Sequence, residues 1–139
     1  MPTPTPVRIV ESKSFDDEAV LDLYRLNHWS SAEKPEELLK ALQNSHGLVL
    51  AYMGDKLVGL GNAITDGHLV VYYPHMLVHP EYQGHGIGKL MMAKFQEKYG
   101  HLHMQMLTAD GEAVAFYEAC GFQRAGQTVP MWIYGGNEH

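Results

Sequence analysis

Apolar side chains recur at a helical spacing in the first third of the chain, after a short alternating stretch. Residues 7–10 alternate apolar and polar types, which is typical of a strand. From Phe15 to Leu26 the apolar residues follow the helical period, and Ser14 precedes an acidic first turn as a candidate cap. Pro35 then stands where a second helix would begin. The pattern therefore predicts one strand followed by two helices.

From Gly47 the apolar period changes to two. Residues 48–60 read as a hairpin around the two-residue turn Gly54–Asp55. A long β run then covers residues 68–78 and contains Pro74, which has no backbone donor. We therefore expect an edge, a splay or a bulge at that proline.

The last third of the chain alternates between helical and strand patterns. Residues 86–99 form a helical face, residues 102–107 alternate, residues 113–120 predict a short helix ended by Gly121, and residues 129–134 predict a last strand. The predicted order is β-α-α-β-β-β-α-β-α-β. That order favours an α/β (α+β) fold in which helices cover a mixed sheet.

Length and composition limit the class of protein. The chain has 139 residues without a repeat or a linker, so we predict one domain over 1–139 with an extended Pro/Thr tail at 1–6. No apolar run reaches the roughly 20 residues that span a bilayer. The N-terminus has no signal-peptide pattern, and the single cysteine cannot form an internal disulfide. These features predict a cytoplasmic protein with no membrane partner.

Charge and histidine content remove two further classes of ligand. Ten Lys and Arg residues against sixteen Asp and Glu give a net charge of −6, which argues against nucleic acid as a partner. Nine histidines suggest a metal site, and His101 and His103 are spaced two residues apart. However, no cysteine or acidic cluster lies beside them in the sequence. We therefore predict no metal.

A glycine-rich loop joins the long β run to the following helix. Three of its five positions from Gly84 to Gly88 are glycine, and backbone amides at a helix N-terminus suit an anionic phosphate. The dinucleotide pattern G-x-G-x-x-G fails because Lys89 stands in place of the third glycine. The P-loop pattern fails because Leu90 follows Gly88–Lys89. A kinase and a dinucleotide-dependent oxidoreductase are both disfavoured.

The remaining pattern, Gln83-Gly84-His85-Gly86-Ile87-Gly88, resembles the pyrophosphate loop [QR]-x-x-G-x-[GA] of the GNAT superfamily of acyl-CoA-dependent N-acyltransferases. Residues 113–122 resemble the A-x-x-F-Y-x-x-x-G-F segment of that family, and the strand order agrees from residue 7 to about residue 134. The resemblance implies a mixed, mostly antiparallel sheet flanked by about four helices. It also implies acetyl-CoA as co-substrate.

The resemblance assigns roles to particular residues. Leu77 and Val78 would end the strand that pairs with the pantetheine arm, and the Val78 N–H would donate to the thioester carbonyl. The amides of Gln83–Lys89 would surround the pyrophosphate. Tyr117 would donate to the departing sulfur. Asp110 stands where the family often has Asn, which puts one contact with CoA in doubt.

The implied reaction is direct attack of a primary amine on the acetyl carbonyl, through a tetrahedral intermediate. An alkylamine is mostly protonated at neutral pH, so a side chain or a chain of water molecules must accept its proton. His75, three residues before Val78, is the leading candidate. Tyr72, Tyr73 and His79 compete with it, and a structural histidine beside the Pro74 break is the alternative.

The acceptor is expected between the first two helices and the long strand. Trp29 in the intervening polar loop, together with Tyr72, is predicted to bind it, although Trp29 could equally be a lid of the core. Trp132 and Tyr134 would close the other side. Cys120 lies on an apolar helix face, which favours packing over nucleophilic catalysis.

The function predicted is acetyl transfer to a small-molecule amine, because the compact chain has no additional recognition domain. A protein or peptide amine is the alternative acceptor. A non-catalytic CoA-binding sensor is the alternative class, and retention of Tyr117 argues against it. The apolar segment 129–134 also predicts a homodimer, since an unpaired edge strand favours association.

Overall fold

The computed structural model describes residues 6–135, which form one mixed sheet with helices on both faces. In chain order its elements are β1 (Val7–Glu11), α1 (Asp17–Leu26), α2 (Pro35–Gln43), β2 (Gly47–Met53), β3 (Lys56–Thr65), β4 (Val70–Tyr72), β5 (Met76–Val78), α3 (Ile87–Tyr99), β6 (Met104–Met106) and α4 (Ala113–Ala119), with 3-10 turns at Ser30–Glu33 and Pro80–Tyr82. No helix within residues 6–135 is long and apolar enough to cross a bilayer. Of the predicted 1–6 tail, only Pro6 lies within the described residues.

The sheet confirms the predicted α/β fold. Its strands lie in the order β1-β2-β3-β4-β6, and β5 pairs with β3 beyond the end of β4. All neighbouring pairs are antiparallel except β4 and β6, which run parallel. The ten-residue strand β3 therefore supports both β4 and β5 along its length.

Alternation along β2 divides the core between the two faces of the sheet. Leu48 and Leu50 pack with Tyr24 and the other apolar residues of α1 and α2. Val49 and Ala51 point to the opposite face, against α3. Because successive strand residues face opposite sides, the continuous apolar run in β2 is buried on both faces.

The long β run is interrupted at Pro74, as expected. Tyr72 of β4 lies opposite Ile64, whereas Met76 of β5 lies opposite Gly61. Four residues along one strand therefore match three along β3, so the break contains one extra residue. Asn62 closes it, because its backbone N–H donates to the His75 carbonyl at 3.0 Å and its Oδ1 accepts from the His75 N–H at 2.9 Å.

The prediction of a last strand over 129–134 is wrong. Within residues 6–135 no strand follows β6, and the observed order is β-α-α-β-β-β-β-α-β-α. Met131 is 91% exposed and Ile133 is fully exposed. An apolar, β-prone segment becomes a strand only when another strand pairs with it, and Pro130 removes one of the donors that pairing needs.

Candidate functional site

A cleft of about 570 Å³ opens beside β5. Within the described residues β5 pairs only with β3, so its other edge is available to the cleft. The volume lies within the range of roughly 300–1,000 Å³ that is typical of small-molecule sites. The lining comes from β5, the glycine-rich loop, the first turn of α3 and α4: Met76, Leu77, Val78, Tyr82, Gln83, Gly84, Gly86, Ile87, Gly88, Lys89, Glu112, Ala113, Phe116 and Tyr117.

Pairing between β3 and β5 directs the amide of Val78 away from β3. The His79 N–H donates to the Val58 carbonyl at 2.8 Å, and the His75 carbonyl accepts from Asn62. In an antiparallel pair, the backbone groups of alternate residues face the partner strand. Val78 therefore presents its N–H to the edge of β5 that borders the cleft.

The first turn of α3 brings further amides to the cleft. Gly86 precedes the helix at φ 81°, without a side-chain cap, and no acidic residue lies in the first turn. The Leu90 N–H is the first that bonds back to the Gly86 carbonyl, at 3.1 Å. The amides of Ile87–Lys89 therefore have no acceptor within the helix, and the positive end of the helix dipole faces the same region.

Gly88 allows α4 to approach α3 closely. A Cβ atom at this position would lie 2.8 Å from Cζ of Phe116, which is closer than non-bonded carbon atoms approach without a shift of one of them. The next residue along α4 is Tyr117, whose ring lies edge-on to Phe116 and to Phe122. The contact between the two helices therefore places Tyr117 at the cleft.

Tyr117 lines both this cleft and a second one of about 400 Å³. Its hydroxyl makes no hydrogen bond to any residue between 6 and 135. Burial, with a smaller contribution from Cys120, raises the pKa of Tyr117 to about 12. The hydroxyl is therefore a proton-bearing donor throughout the neutral range.

His75 and Trp29 come together outside the first cleft. Their ring centroids are 4.9 Å apart, and both rings lie edge-on to that of Tyr24. The Tyr24 hydroxyl lies 2.7 Å from Nδ1 of His75. Trp29 thus contacts His75 at the end of the long strand, and Tyr24, which the sequence indicated only as a core residue of α1, completes this group.

Tyr72 and Tyr73 face opposite sides of the sheet. Tyr72 is 40% exposed and lines the second cleft rather than the first. Tyr73 is buried, and its hydroxyl donates to Oε1 of Gln105 at 2.6 Å. Tyr73 is therefore engaged inside the protein, whereas Tyr72 is accessible beside Tyr117.

The two histidines of the loop region make internal hydrogen bonds. His85 donates from Nδ1 to the Tyr82 carbonyl at 3.0 Å and does not line the first cleft. His79 is buried, and its Nδ1 accepts from the Glu81 N–H at 3.1 Å. Residues 6–135 contain no group of three or more His, Cys, Asp or Glu side chains placed to hold a metal ion.

The C-terminal segment reaches the loop that carries Trp29. The Tyr134 hydroxyl is hydrogen-bonded to Oγ of Ser30, and the Tyr134 ring stacks on Trp132 with centroids 5.0 Å apart. Cys120 packs partly buried against the core beside α3, and burial raises the pKa of its thiol. That environment fits the packing role predicted for Cys120.

Comparison with known proteins extends these observations. The family model described as an acetyltransferase (GNAT) domain matches residues 11–131. A GNAT-family acetyltransferase structure from Streptococcus pneumoniae TIGR4 is 30% identical, with a TM-score of 0.80 over 94% of this chain and 100% of that one.

Two other proteins are similar over different extents. An uncharacterized N-acetyltransferase, ycf52, from Gracilaria tenuistipitata var. liui is 34% identical over 68 residues, which cover 48% of this chain and 37% of that protein. This chain thus spans much less than two thirds of that relative. The aminoglycoside N-acetyltransferase AAC(6')-Iy, solved in complex with CoA, is 18% identical with a TM-score of 0.69 over 98% of this chain and 99% of that one, and at this identity it shows the fold alone.

Proposed function

Because the chain belongs to the GNAT acetyltransferase family, we propose that it transfers the acetyl group of acetyl-CoA to a primary amine of a small molecule. The observation that carries the proposal is the convergence of three kinds of donor on one cleft. These are the outward N–H of Val78, the amides at the start of α3 and the hydroxyl of Tyr117.

Each donor suits a different part of acetyl-CoA. The amides of Ile87–Lys89 and the loop before them would hold the pyrophosphate, and the Lys89 ammonium adds positive charge there. Of the two residues assigned to the pantetheine arm, Val78 would pair with it along the free edge of β5, whereas the backbone groups of Leu77 face β3. Gln83 supports this edge, since its Nε2 donates to the Val78 carbonyl at 3.2 Å.

The proposed reaction forms one bond and breaks one. The amine nitrogen attacks the acetyl carbonyl carbon and forms the C–N bond. The Val78 N–H stabilises the negative charge that develops on the carbonyl oxygen of the tetrahedral intermediate. The C–S bond then breaks, and its electron pair leaves with the sulfur.

Tyr117 would assist the leaving group by hydrogen bonding. Its pKa of about 12 lies above that of a thiol, which is near 8.5, so complete proton transfer to the thiolate is uphill. Donation of a hydrogen bond is favourable without such transfer. The proton that the amine loses balances the thiolate, which is released as the thiol.

The acceptor amine would be bound by Trp29, Tyr72 and His75. The imidazole of His75 could either accept the ammonium proton or donate a hydrogen bond to the acceptor. The modest size of the clefts agrees with a small-molecule acceptor.

Calorimetric titration of the purified protein with acetyl-CoA tests the proposal, with ATP and NADP as controls. We expect micromolar binding of acetyl-CoA alone, followed by thiol release in a screen of amines. Absence of binding by a folded sample would mean that the Gln83–Gly88 loop is only a tight strand-to-helix turn. Binding without thiol release across protein, peptide and small-molecule amines would instead indicate a CoA-binding sensor.

We also propose that the protein forms a homodimer through the segment 129–133. Val129, Met131, Trp132 and Ile133 are all largely exposed, and such a run of apolar side chains favours association. Light scattering should give twice the chain mass, and Ile133→Asp should shift the distribution towards the monomer. A monomeric wild type at high concentration would refute this.

A further inference from the structure

The second cleft, of about 400 Å³, shares one residue with the first cleft, and that residue is Tyr117. Its walls come from the end of β4, from β6 and the residues after it, from α4 and from the segment that follows α4. Tyr72, which is proposed above to bind the acceptor amine, also lines it. A molecule held in the second cleft would therefore lie next to the sulfur that Tyr117 contacts in the proposed reaction.

One face of α4 borders the second cleft. Val114, Tyr117 and Glu118 all line it, and their spacing of three and four residues places them on one side of the helix. The Phe122 N–H bonds back to the Tyr117 carbonyl at 3.0 Å, so the chain turns at the end of α4. That turn carries Arg124 to the same cleft as Glu118.

Among the described residues, Glu118 and Arg124 are the two charged ones that line the second cleft. Both are exposed, and neither forms a salt bridge within residues 6–135. The salt bridges of that range lie instead on α1, on α3 and between α3 and β1. The cleft therefore offers one carboxylate and one guanidinium to a ligand. A guanidinium binds a carboxylate through two parallel N–H donors, whereas a carboxylate suits an ammonium group.

Apolar side chains form much of the remaining wall of the second cleft. Met106 and Leu107 contribute from β6 and its end, and Phe122 and Val129 contribute from the segment after α4. The Phe122 ring lies edge-on to that of Tyr117, with ring centroids 5.9 Å apart. Such a wall favours an apolar group on the ligand, because burial of apolar surface is stabilising.

We propose that the second cleft binds the acceptor as a zwitterionic amino acid with an apolar side chain. The carboxylate of the ligand pairs with Arg124, its ammonium group lies beside Glu118 and Tyr117, and its side chain packs on the apolar wall. This assignment rests on the proposed function, because acetyl-CoA in the first cleft supplies the thioester at Tyr117. The ligand nitrogen loses its ammonium proton before it attacks that thioester. A peptide N-terminus, which has an amide in place of the carboxylate, leaves Arg124 without a partner.

Kinetics with leucine and leucinamide test the carboxylate contact. The ratio of kcat/KM for leucine to that for leucinamide should be on the order of tenfold higher in the wild type than in Arg124→Gln, the effect of a charge-assisted contact. The two amines differ in basicity, but this difference is the same for both enzymes and cancels. Arg8→Gln removes a guanidinium outside both clefts and should keep the wild-type ratio. An equal ratio in the wild type and Arg124→Gln overturns the proposal.

Calorimetric titration of the CoA-bound protein tests both charge contacts without turnover. At a slightly acidic pH, where both amines are protonated, Arg124→Gln should weaken the binding of leucine alone. Glu118→Gln should weaken leucine and leucinamide alike, because both carry an ammonium group. Glu97→Gln removes a carboxylate of α3 outside both clefts and should leave both affinities unchanged. Affinities that Glu118→Gln leaves at the wild-type level overturn the proposal.

Binding of acetyl-CoA distinguishes failure of this proposal from failure of the proposed function. Arg124→Gln and Glu118→Gln should bind acetyl-CoA as the wild type does, because neither residue lines the first cleft. A wild type that binds no acetyl-CoA would refute the proposed function. A wild type that binds acetyl-CoA and acetylates other amines, but neither binds nor acetylates leucine, methionine or phenylalanine, would overturn the amino-acid class and leave the proposed function intact.

Discussion

At the scale of single residues, the hydroxyl of Tyr117 is expected to act on the chemical step and not on binding. Tyr117→Phe removes a donor to a developing thiolate, which is a hydrogen bond to a charged group. We expect kcat to fall about 10- to 100-fold, equivalent to the roughly 1.5–3 kcal/mol of such a bond. Calorimetry should find the affinity for acetyl-CoA unchanged.

Tyr99→Phe is a matched control for that variant. Tyr99 is also buried with its pKa raised to about 12, but its hydroxyl is bonded to Nδ1 of His46, away from the cleft. Loss of this phenol should leave kcat at the wild-type level. A Tyr117→Phe enzyme as fast as the Tyr99→Phe enzyme would show that the sulfur leaves without help from Tyr117.

The residues of the first cleft could be predicted from the sequence more directly than the residues around His75. Gln83 to Lys89 and Tyr117 stand in short local motifs, so the sequence indicated them directly. Tyr24 recurs at helical spacing like any core residue, and its partner His75 is 51 residues away. A hydrogen bond between such distant positions depends on how α1 packs on the sheet, which no local pattern contains.

At the scale of elements, the turn into α3 depends on a backbone conformation that favours glycine. Gly86 has φ 81°, and a Cβ there would meet nothing within 4 Å. Gly86→Ala should cost about 1–2 kcal/mol of unfolding free energy, the strain of a side chain in the left-handed region. The added methyl group and the shifted amides should also weaken acetyl-CoA binding by on the order of tenfold, as for one charge-assisted hydrogen bond.

Gly67→Ala distinguishes strain from ligand contact. Gly67, in the turn between β3 and β4, has φ 82° and equally open space around a Cβ. Denaturant unfolding should find the two variants similarly destabilised, while calorimetry should find only Gly86→Ala weakened towards acetyl-CoA. Equal affinities in the two variants would exclude the loop amides from the binding site.

The elements predicted correctly are those whose partners lie close by in the sequence or whose apolar face is unambiguous. The hairpin around Gly54–Asp55 is an example, since Met53 pairs directly with Lys56. The predicted strand 129–134 has an equally apolar pattern, yet it finds no partner strand within residues 6–135. Pattern alone indicates that a segment can pair, and the rest of the sheet decides whether it does.

At the scale of the whole molecule, buried tyrosines make stability sensitive to alkaline pH. Burial raises the pKa values of Tyr24, Tyr73, Tyr99 and Tyr117 in the folded state. In the unfolded chain these phenols ionise near pH 10, so the unfolded state loses protons first. The free energy of unfolding should be unaffected by these groups below about pH 10 and should fall as the pH rises towards 12.

Urea midpoints measured over this pH range test that expectation. Tyr99→Phe removes one of the buried phenols, so its decline above pH 10 should be shallower than that of the wild type. Tyr72→Phe changes an exposed ring and should leave the slope as it is. A slope that neither substitution alters would assign the alkaline loss to other groups.

The extra residue at the break between β4 and β5 governs which atoms the cleft receives. If the strand continued in the β4 register, Val78 would pair with Val58 and its N–H would be consumed by β3. The break thus shifts the register by one residue, so that after it the backbone groups of odd- and even-numbered residues face opposite sides from before. Deletion of Pro74 alone would leave residues 75–78 opposite the same residues of β3. Deletion of any one residue from 76 to 78 would instead exchange the backbone groups that face β3 with those that face the cleft. Which backbone groups reach the cleft therefore depends more on the number of residues in β5 than on their identity.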